Sequence, residues 1–192
     1  MQRVVRAFIA VEISAEVRLR AGRLIARLEA TGANVRWVKP EDLHLTLKFL
    51  GDVDLRDVPE VCSAVARAAV TISPFTLRIA GAGAFPNATK PRTVWLGADE
   101  GVGEMGHLHE RLGTSLAEIG FRPEQRRFRP HLTIGRVRSA DRGMIALAET
   151  LNENRDFVGG VVDVDEVVTF SSELQRSGPI YEVLSTAPLE GD

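Results

Sequence analysis

A four-residue pattern that occurs twice constrains this chain more than any other feature. His44-Leu45-Thr46-Leu47 recurs as His131-Leu132-Thr133-Ile134, so two of the four histidines head the same pattern. Alternation of polar and aliphatic residues is typical of a β-strand, in which His and Thr share one face and the aliphatic residues share the other. The repeat predicts two similar strands, from two similar lobes, that present paired imidazole and hydroxyl groups across a cleft.

These side chains suit acid–base chemistry on a phosphodiester. Imidazole titrates near pH 6.5, so one histidine can be neutral while the other is charged. Threonine hydroxyls can donate to phosphate oxygens, and Arg136 or Lys48 is the nearby cation that would neutralise developing charge. Strict alternation puts Arg136 on the opposite face from His131 and Thr133, so its participation requires a bulge or strand end at Gly135.

The remaining pattern mixes helices and strands without the regular rhythm of a wound parallel sheet. We therefore expect an α+β fold with mainly antiparallel sheets, in one domain over residues 1–192. The predicted strands span 3–11, 35–38, 43–50, 75–80, 93–98, 131–137, 161–170 and 180–184. The predicted helices span 14–32, capped by Ser14, and 55–70, 102–119 and 141–154. Segment 81–87 is rich in turn-forming residues and predicts a loop.

The charge distribution leaves one question open. The net charge of −2 gives the whole molecule no strong attraction for polyanions. A dense group of arginines, however, lies in one part of the sequence: Arg122, Arg126, Arg127, Arg129, Arg136, Arg138 and Arg142. This group fits a solvated loop and a phosphate-attracting rim equally well.

Metal and membrane sites are not predicted. His107 and His109 lie two apart in a predicted helix and so face different directions, while the single cysteine, Cys62, excludes an internal disulfide and has no companion at metal-ligand spacing. No apolar run approaches the roughly 18 residues that a membrane span needs, and the N-terminus lacks a signal-peptide pattern. We expect a cytoplasmic protein.

The residues around both copies of the pattern match those of a known family. The first region runs from Arg36 to Gly51 and the second from Arg129 to Arg136. The likeness continues over nearly the whole chain, in segments 6–10, 85–87, 91–97 and 177–181. These regions resemble the RNA 2′,3′-cyclic phosphodiesterases, which are 2H phosphoesterases formerly called 2′-5′ RNA ligases.

The resemblance implies a two-lobed fold with pseudo-two-fold symmetry around a central cleft, with helices packed outside. It implies that the protein opens a 2′,3′-cyclic phosphate at an RNA 3′ end, leaving a 2′-phosphate and a free 3′-hydroxyl. His44 would be the general acid that protonates the leaving O3′, and His131 the general base that activates water. Thr46, Thr133 and Arg136 would hold the phosphate.

Further expectations concern partners. Phe8 is a candidate to stack on the terminal RNA base, as is Trp37, although the sequence favours the core for Trp37. The partner is the RNA 3′ end itself; we expect no metal, no organic cofactor, no membrane contact and a monomer.

Three alternatives stay open. The same site could join RNA ends through a 2′-5′ linkage or hydrolyse small cyclic nucleotides, although the excess of water favours hydrolysis over ligation. The chain could instead be an RNA-end-binding module without turnover. A histidine-ligated metal hydrolase is disfavoured, because the carboxylate–histidine spacing of such enzymes is missing.

Overall fold

The structure is a computed structural model that describes residues 3–124, 127–175 and 178–191. Arg126 of the dense arginine group and Ser177, the first residue of segment 177–181, lie outside these residues. The described segments form nine strands and four α-helices, so the expected α+β class is confirmed. The strands are β1 Val4–Glu12, β2 Val35–Trp37, β3 His44–Asp54, β4 Phe75–Phe85, β5 Thr93–Glu100, β6 Leu132–Val137, β7 Val158–Val164, β8 Glu166–Gln175 and β9 Gly178–Pro188. The helices are α1 Ala15–Glu29, α2 Val58–Ala69, α3 Val102–Ala117 and α4 Gly143–Glu153, and a 3₁₀ turn, Pro40–Asp42, precedes β3.

Helix α1 illustrates how local sequence sets an element. The Ser14 hydroxyl accepts a hydrogen bond from the Val17 N–H at 3.2 Å, which satisfies one of the free donors at the helix start. The apolar residues at helical spacing face the core: Val17, Ala21, Leu24, Ile25 and Leu28 are all buried. The predicted cap and apolar stripe are both confirmed.

The strands form a sheet in the order β7-β4-β5-β6-β3-β1-β8-β9, with β2 also paired to β6. All the strand pairs in the described segments are antiparallel, as predicted. Strands β3 and β6, which carry the two motifs, are neighbours at the middle of this order, with three further strands beyond each of them. The motifs thus lie where the two halves of the sheet meet.

The two faces of the sheet have different roles. On one face the aliphatic residues of the motifs, such as Leu45 and Leu132, join one large core cluster that also contains the buried faces of all four helices. Successive side chains of β1 point to opposite faces of the sheet. Ile9 therefore belongs to this core, whereas Phe8 and Ala10 belong to a second, small cluster on the other face. The helices therefore cover one face and leave the other for a cleft.

Three predicted boundaries are wrong. The predicted loop at 81–87 is mostly strand, because Gly81, at φ 76°, and a register shift between Ile79 and Ala82 let β4 absorb extra residues and continue to Phe85. Strand β3 likewise continues past Gly51, at φ 74°. The single strand predicted at 161–170 is two, since β7 pairs with β4 whereas β8 pairs with β1 and β9.

Candidate active site

The two histidine motifs meet at the centre of the sheet. Leu45 of β3 pairs with Leu132 of β6 in antiparallel register. Continuing this register by one residue in each direction puts His44 beside Thr133 and Thr46 beside His131. All four side chains line one cleft of about 930 Å³. On one face of such a pair, diagonal neighbours lie about 7–8 Å apart, so the two imidazoles flank a space suited to one phosphate group.

Arg136 reaches the same cleft through a bulge. Strand β5 pairs Trp95 with Thr133 and then Val94 with Gly135, so β6 contains one extra residue, Ile134, at this point. The bulge restores Arg136 to the face of His131 and Thr133, and Arg136 lines the cleft. A bulge is therefore confirmed, but it lies at Ile134 and not at Gly135, and the strand continues to Val137.

A matching bulge in β3 overturns the prediction for Lys48. Strand β1 pairs Ala10 with Thr46 and Ile9 with Lys48, which leaves Leu47 as the extra residue. Lys48 therefore turns to the core face, where it is 4 % exposed and its Nζ donates to the Arg122 carbonyl at 3.2 Å. The next residue, Phe49, takes the cleft face instead and is 62 % exposed. Lys48 is thus a loop anchor, whereas Phe49 is a cleft residue that sequence reasoning missed.

The 3₁₀ turn before β3 fixes the orientation of His44. His44 Nδ1 lies 2.8 Å from the Asp42 carbonyl oxygen. A carbonyl can only accept, so Nδ1 carries the hydrogen and Nε2 is left for the cleft. The turn is held in place from α1, because Arg18 Nη1 donates to the carbonyls of Pro40 at 2.6 Å and Glu41 at 2.9 Å.

The electrostatic setting of His44 favours its neutral form in the free protein. Burial lowers the pKa of His44 below its ordinary value; the Asp42 carbonyl and carboxylate act in the opposite direction, and the charge of Arg18 lowers the pKa further. An anion bound in the cleft would oppose the effect of burial, because it favours the imidazolium form. Protonation of His44 is therefore coupled to binding of an anionic ligand.

His131 is tethered in the same way by a different segment. Its Nδ1 lies 2.7 Å from the Arg129 carbonyl oxygen, so again Nε2 is the nitrogen left for the cleft. Phe85 packs edge-on against the imidazole, with ring centroids 5.2 Å apart. The loop before β6 is anchored at Phe128, which stacks on His109 with ring centroids 4.2 Å apart.

An aromatic cluster forms the wall beside His44. Phe8 is only 3 % exposed and stands 4.8 Å from the His44 ring, while Tyr181 meets that ring edge-on at 5.3 Å. Phe170 stacks behind Phe8 at 5.3 Å. Burial raises the pKa of the Tyr181 phenol, so the phenol keeps its proton near neutral pH and can donate a hydrogen bond. Trp37, by contrast, packs on the main core, as the sequence favoured.

The charge of the cleft differs from that of the whole protein. Among the described residues its lining contains four arginines, Arg6, Arg127, Arg129 and Arg136, and two acidic residues, Asp42 and Glu124. Three of the arginines come from the dense group in the sequence. Part of that group therefore forms a rim that favours anions, whereas Arg122, Arg138 and Arg142 lie outside the lining.

The described segments contain neither a cluster of metal-ligating side chains nor a membrane-spanning helix. Across residues 3–124, 127–175 and 178–191, no three His, Cys, Asp or Glu side chains come together as a possible metal site. Over the same segments no helix is long and apolar enough to cross a membrane.

A curled antiparallel sheet with two histidine–threonine pairs facing one anion-favouring cleft is the arrangement of a two-histidine phosphoesterase. The sequence profile described as LigT like phosphoesterase matches the chain twice, at residues 11–95 and 96–181. The chain belongs to this family, and the double match agrees with the two similar halves of the sheet.

Similar proteins cover almost the whole chain. It is 40 % identical to an RNA 2′,3′-cyclic phosphodiesterase of Methanothermobacter thermautotrophicus, over 92 % of this chain and 95 % of that protein. It is 37 % identical to an RNA 2′,3′-cyclic phosphodiesterase of Thermotoga maritima, over 97 % of this chain and 96 % of that one. The crystal structure of a Thermus thermophilus protein superposes with a TM-score of 0.80 at 29 % identity, covering 97 % of this chain and 99 % of the other.

Proposed function

We propose that this protein hydrolyses 2′,3′-cyclic phosphate ends of RNA to 2′-phosphomonoesters. The observation that carries the proposal is the pair of tethered imidazoles: His44 and His131 each use Nδ1–H on a backbone carbonyl and leave Nε2 for one cleft. Two relatives similar over nearly the full length bear the name of this activity, which supports the same substrate class here.

The two histidines have opposite roles in the proposed reaction. His131 Nε2 accepts a proton from water as the water oxygen attacks phosphorus. The bond between phosphorus and O3′ breaks, and His44 Nε2 donates its proton to O3′. The products are a 2′-phosphate and a free 3′-hydroxyl, and the two histidines exchange protonation states, which are reset by solvent.

The phosphate is held by groups that surround both imidazoles. Thr46 and Thr133 are neighbours of the two histidines across the β3–β6 pair, at hydroxyl positions that can donate to the non-bridging oxygens. Arg136 adds a permanent positive charge from the same face. The bound phosphate, as an anion, also stabilises the protonated form of His44, which is the form that donates the proton to O3′.

Phe8 has a narrower role than the sequence suggested. Its ring is nearly buried and lies against His44, so we propose that it chiefly fixes the imidazole and touches a bound base at its edge. We propose further that the two halves form one domain, because one sheet and one main core cluster include strands from both. A monomer acting without metal or organic cofactor remains our expectation.

A product assay tests this function. A short RNA ending in a 2′,3′-cyclic phosphate is incubated with the protein and EDTA, and ³¹P NMR distinguishes a 2′- from a 3′-phosphate product. His44→Ala and His131→Ala should each lower kcat by roughly a hundredfold or more, the contribution of a positioned proton transfer. His107→Ala, on the exposed surface of α3, is the matched control and should behave like the wild type.

The outcomes separate the alternatives. A wild-type protein that binds the RNA and yields no product would be a binding module, and loss of activity with EDTA would indicate a metal enzyme. A joined RNA in the presence of a 5′-hydroxyl acceptor would reveal ligation.

The acid and base roles can be tested with a modified leaving group. A cyclic phosphate with sulfur in place of O3′ departs as a thiolate and needs little protonation. His44→Ala should then recover much of its lost rate, whereas His131→Ala should not. Recovery in His131→Ala instead would reverse the two roles.

A further inference from the structure

Two arginines lie directly opposite each other at one end of the cleft. Arg36 of β2 pairs with Arg136 of β6, so both side chains stand on the same sheet face. Directly paired residues have Cβ atoms about 4.5–5.5 Å apart, and like charges at this spacing are destabilising. In the described part of the chain neither guanidinium forms an ion pair with a carboxylate. The fold therefore keeps a repulsive pair that a bound anion would convert into a favourable one.

The position of this pair indicates which anion it would bind. Arg136 lines the cleft, whereas Arg36 is exposed just outside the lining. The Arg36 guanidinium extends toward the start of β9, where its Nη2 lies 3.6 Å from the ideal Cβ position of Gly178. Both guanidiniums also act electrostatically on Tyr181, the β9 residue that meets His44 edge-on. The guanidiniums of Arg136 and Arg36 therefore lie one after the other on a path from the two histidines, past His44, to the outside of the cleft.

We propose that Arg36 binds the phosphodiester on the 5′ side of the terminal nucleotide, while Arg136 serves the reacting cyclic phosphate. Two guanidiniums on adjacent strands, each on a long side chain, can hold two successive phosphates of one RNA strand. Arg36 would then make the site prefer an RNA end of two or more nucleotides over a cyclic mononucleotide. The inference rests on the proposed function.

The test compares three substrates in the intact protein. The first is adenosine 2′,3′-cyclic phosphate, which has no second phosphate. The second is the dinucleotide ApA ending in a 2′,3′-cyclic phosphate, and the third is the same dinucleotide with a neutral methylphosphonate linkage. The variant is Arg36→Gln, and Arg23→Gln on the exposed surface of α1 is the control for general loss of positive charge.

Arg36→Gln should lower kcat/KM for the charged dinucleotide about tenfold more than for the mononucleotide, chiefly through KM, as expected for one charge-assisted contact. The wild type should lose a similar factor on the methylphosphonate, and Arg36→Gln should lose little more on it. The melting temperature should stay equal or rise, because the substitution removes repulsion when no anion is bound.

Equal losses on mononucleotide and dinucleotide would overturn the inference, as would methylphosphonate sensitivity that persists in Arg36→Gln. If the wild type opens the mononucleotide and the dinucleotide with the charged linkage, but Arg36→Gln and Arg23→Gln have the same kcat/KM on each, only the inference about Arg36 fails. If the wild type opens neither, the proposed function itself fails.

Discussion

Replacing Arg18 by Met should impair catalysis without unfolding the protein. Arg18 does not line the cleft, but its Nη1 holds the carbonyls of Pro40 and Glu41, and the next carbonyl, of Asp42, orients His44. Met keeps most of the aliphatic stem and removes the donors. The 3₁₀ turn would then be free to rotate its carbonyls, and the tether of His44 would loosen with it.

The size of the effect follows from the two lost bonds. Each is solvent-accessible and is worth about 1 kcal/mol, below the range for buried hydrogen bonds to charged groups. At about 1.36 kcal/mol for each factor of ten in rate, the cost of holding the turn in place in the transition state without these bonds is at most one to two such contributions, so kcat should fall by up to roughly thirtyfold. We also expect the pKa of His44 to fall, because the hydrogen bond to the Asp42 carbonyl raises it more than the charge of Arg18 lowers it, and the substitution weakens both.

The assay combines kcat on an RNA cyclic phosphate, the melting temperature and an NMR titration of the His44 ring. Arg20→Met is the matched control on the same helix, since Arg20 pairs with Glu16 at 2.7 Å and donates to the Val158 carbonyl, away from the turn. Arg18→Lys should recover part of the activity. Equal losses in Arg18→Met and Arg20→Met, or wild-type kcat in Arg18→Met, would refute the reasoning.

Two further perturbations address the cleft directly. In the free protein the pKa of His44 should lie below the ordinary imidazole value because of burial, and adding a 2′-phosphorylated nucleotide should raise it. NMR titration of the His44 ring measures the pKa in both states. An ordinary or elevated pKa in the free protein would contradict the first expectation. Gly135→Ala would put its Cβ 2.7 Å from Trp37 Cε3 and 2.8 Å from Val35 Cγ1. It should therefore lower the free energy of unfolding by about 1–3 kcal/mol, measured by denaturant unfolding, and raise KM by displacing Arg136. An unchanged free energy of unfolding would mean that β2 moves aside without cost.

The elements that the sequence predicted well are those with strong local signals. Ser14 and the apolar stripe after it define α1, and the alternation in both motifs defines the centre of β3 and β6. The errors occur where pairing partners decide the outcome. Gly81 looks like a turn in the sequence, but between β5 and β7 it lies in a bulged strand, because neighbouring strands stabilise it on both sides.

The residues of the candidate site likewise fall into those that a local sequence pattern predicted and those that it did not. His44, Thr46, His131 and Thr133 share a cleft, as their repeated pattern predicted. Arg18 carried no signal, because its bonds to the turn join residues 22 and 23 positions apart that no local pattern links. Tyr181 and Phe85 lie in segments that resemble the family, but their contacts with the histidines depend on how distant strands are brought together.

Lys48 shows how a single inserted residue changes a side chain's role. Strict alternation from His44 would send its amine into the cleft. The bulge at Leu47 instead buries it on the core face, where it secures the loop that leads to Arg129 and so to His131. A bulge has no dependable signature in one strand alone, because it depends on the register of the strand beside it.

A bulge at the same position of the motif in both halves of the sheet explains how a nearly symmetric scaffold gives an asymmetric site. Each strand inserts one residue directly after its His-x-Thr segment, so the position that returns to the cleft is Phe49 in β3 and Arg136 in β6. Because β3 and β6 are antiparallel, these two residues lie at opposite ends of the histidine pair. Arg136 lies on the His44 side, close enough to Tyr181 to act on it electrostatically, whereas Phe49 lies on the His131 side, where Arg6 and Arg129 also line the cleft. The two histidines of the repeated motif therefore have different neighbours, with Arg136 beyond His44 and Phe49 beyond His131.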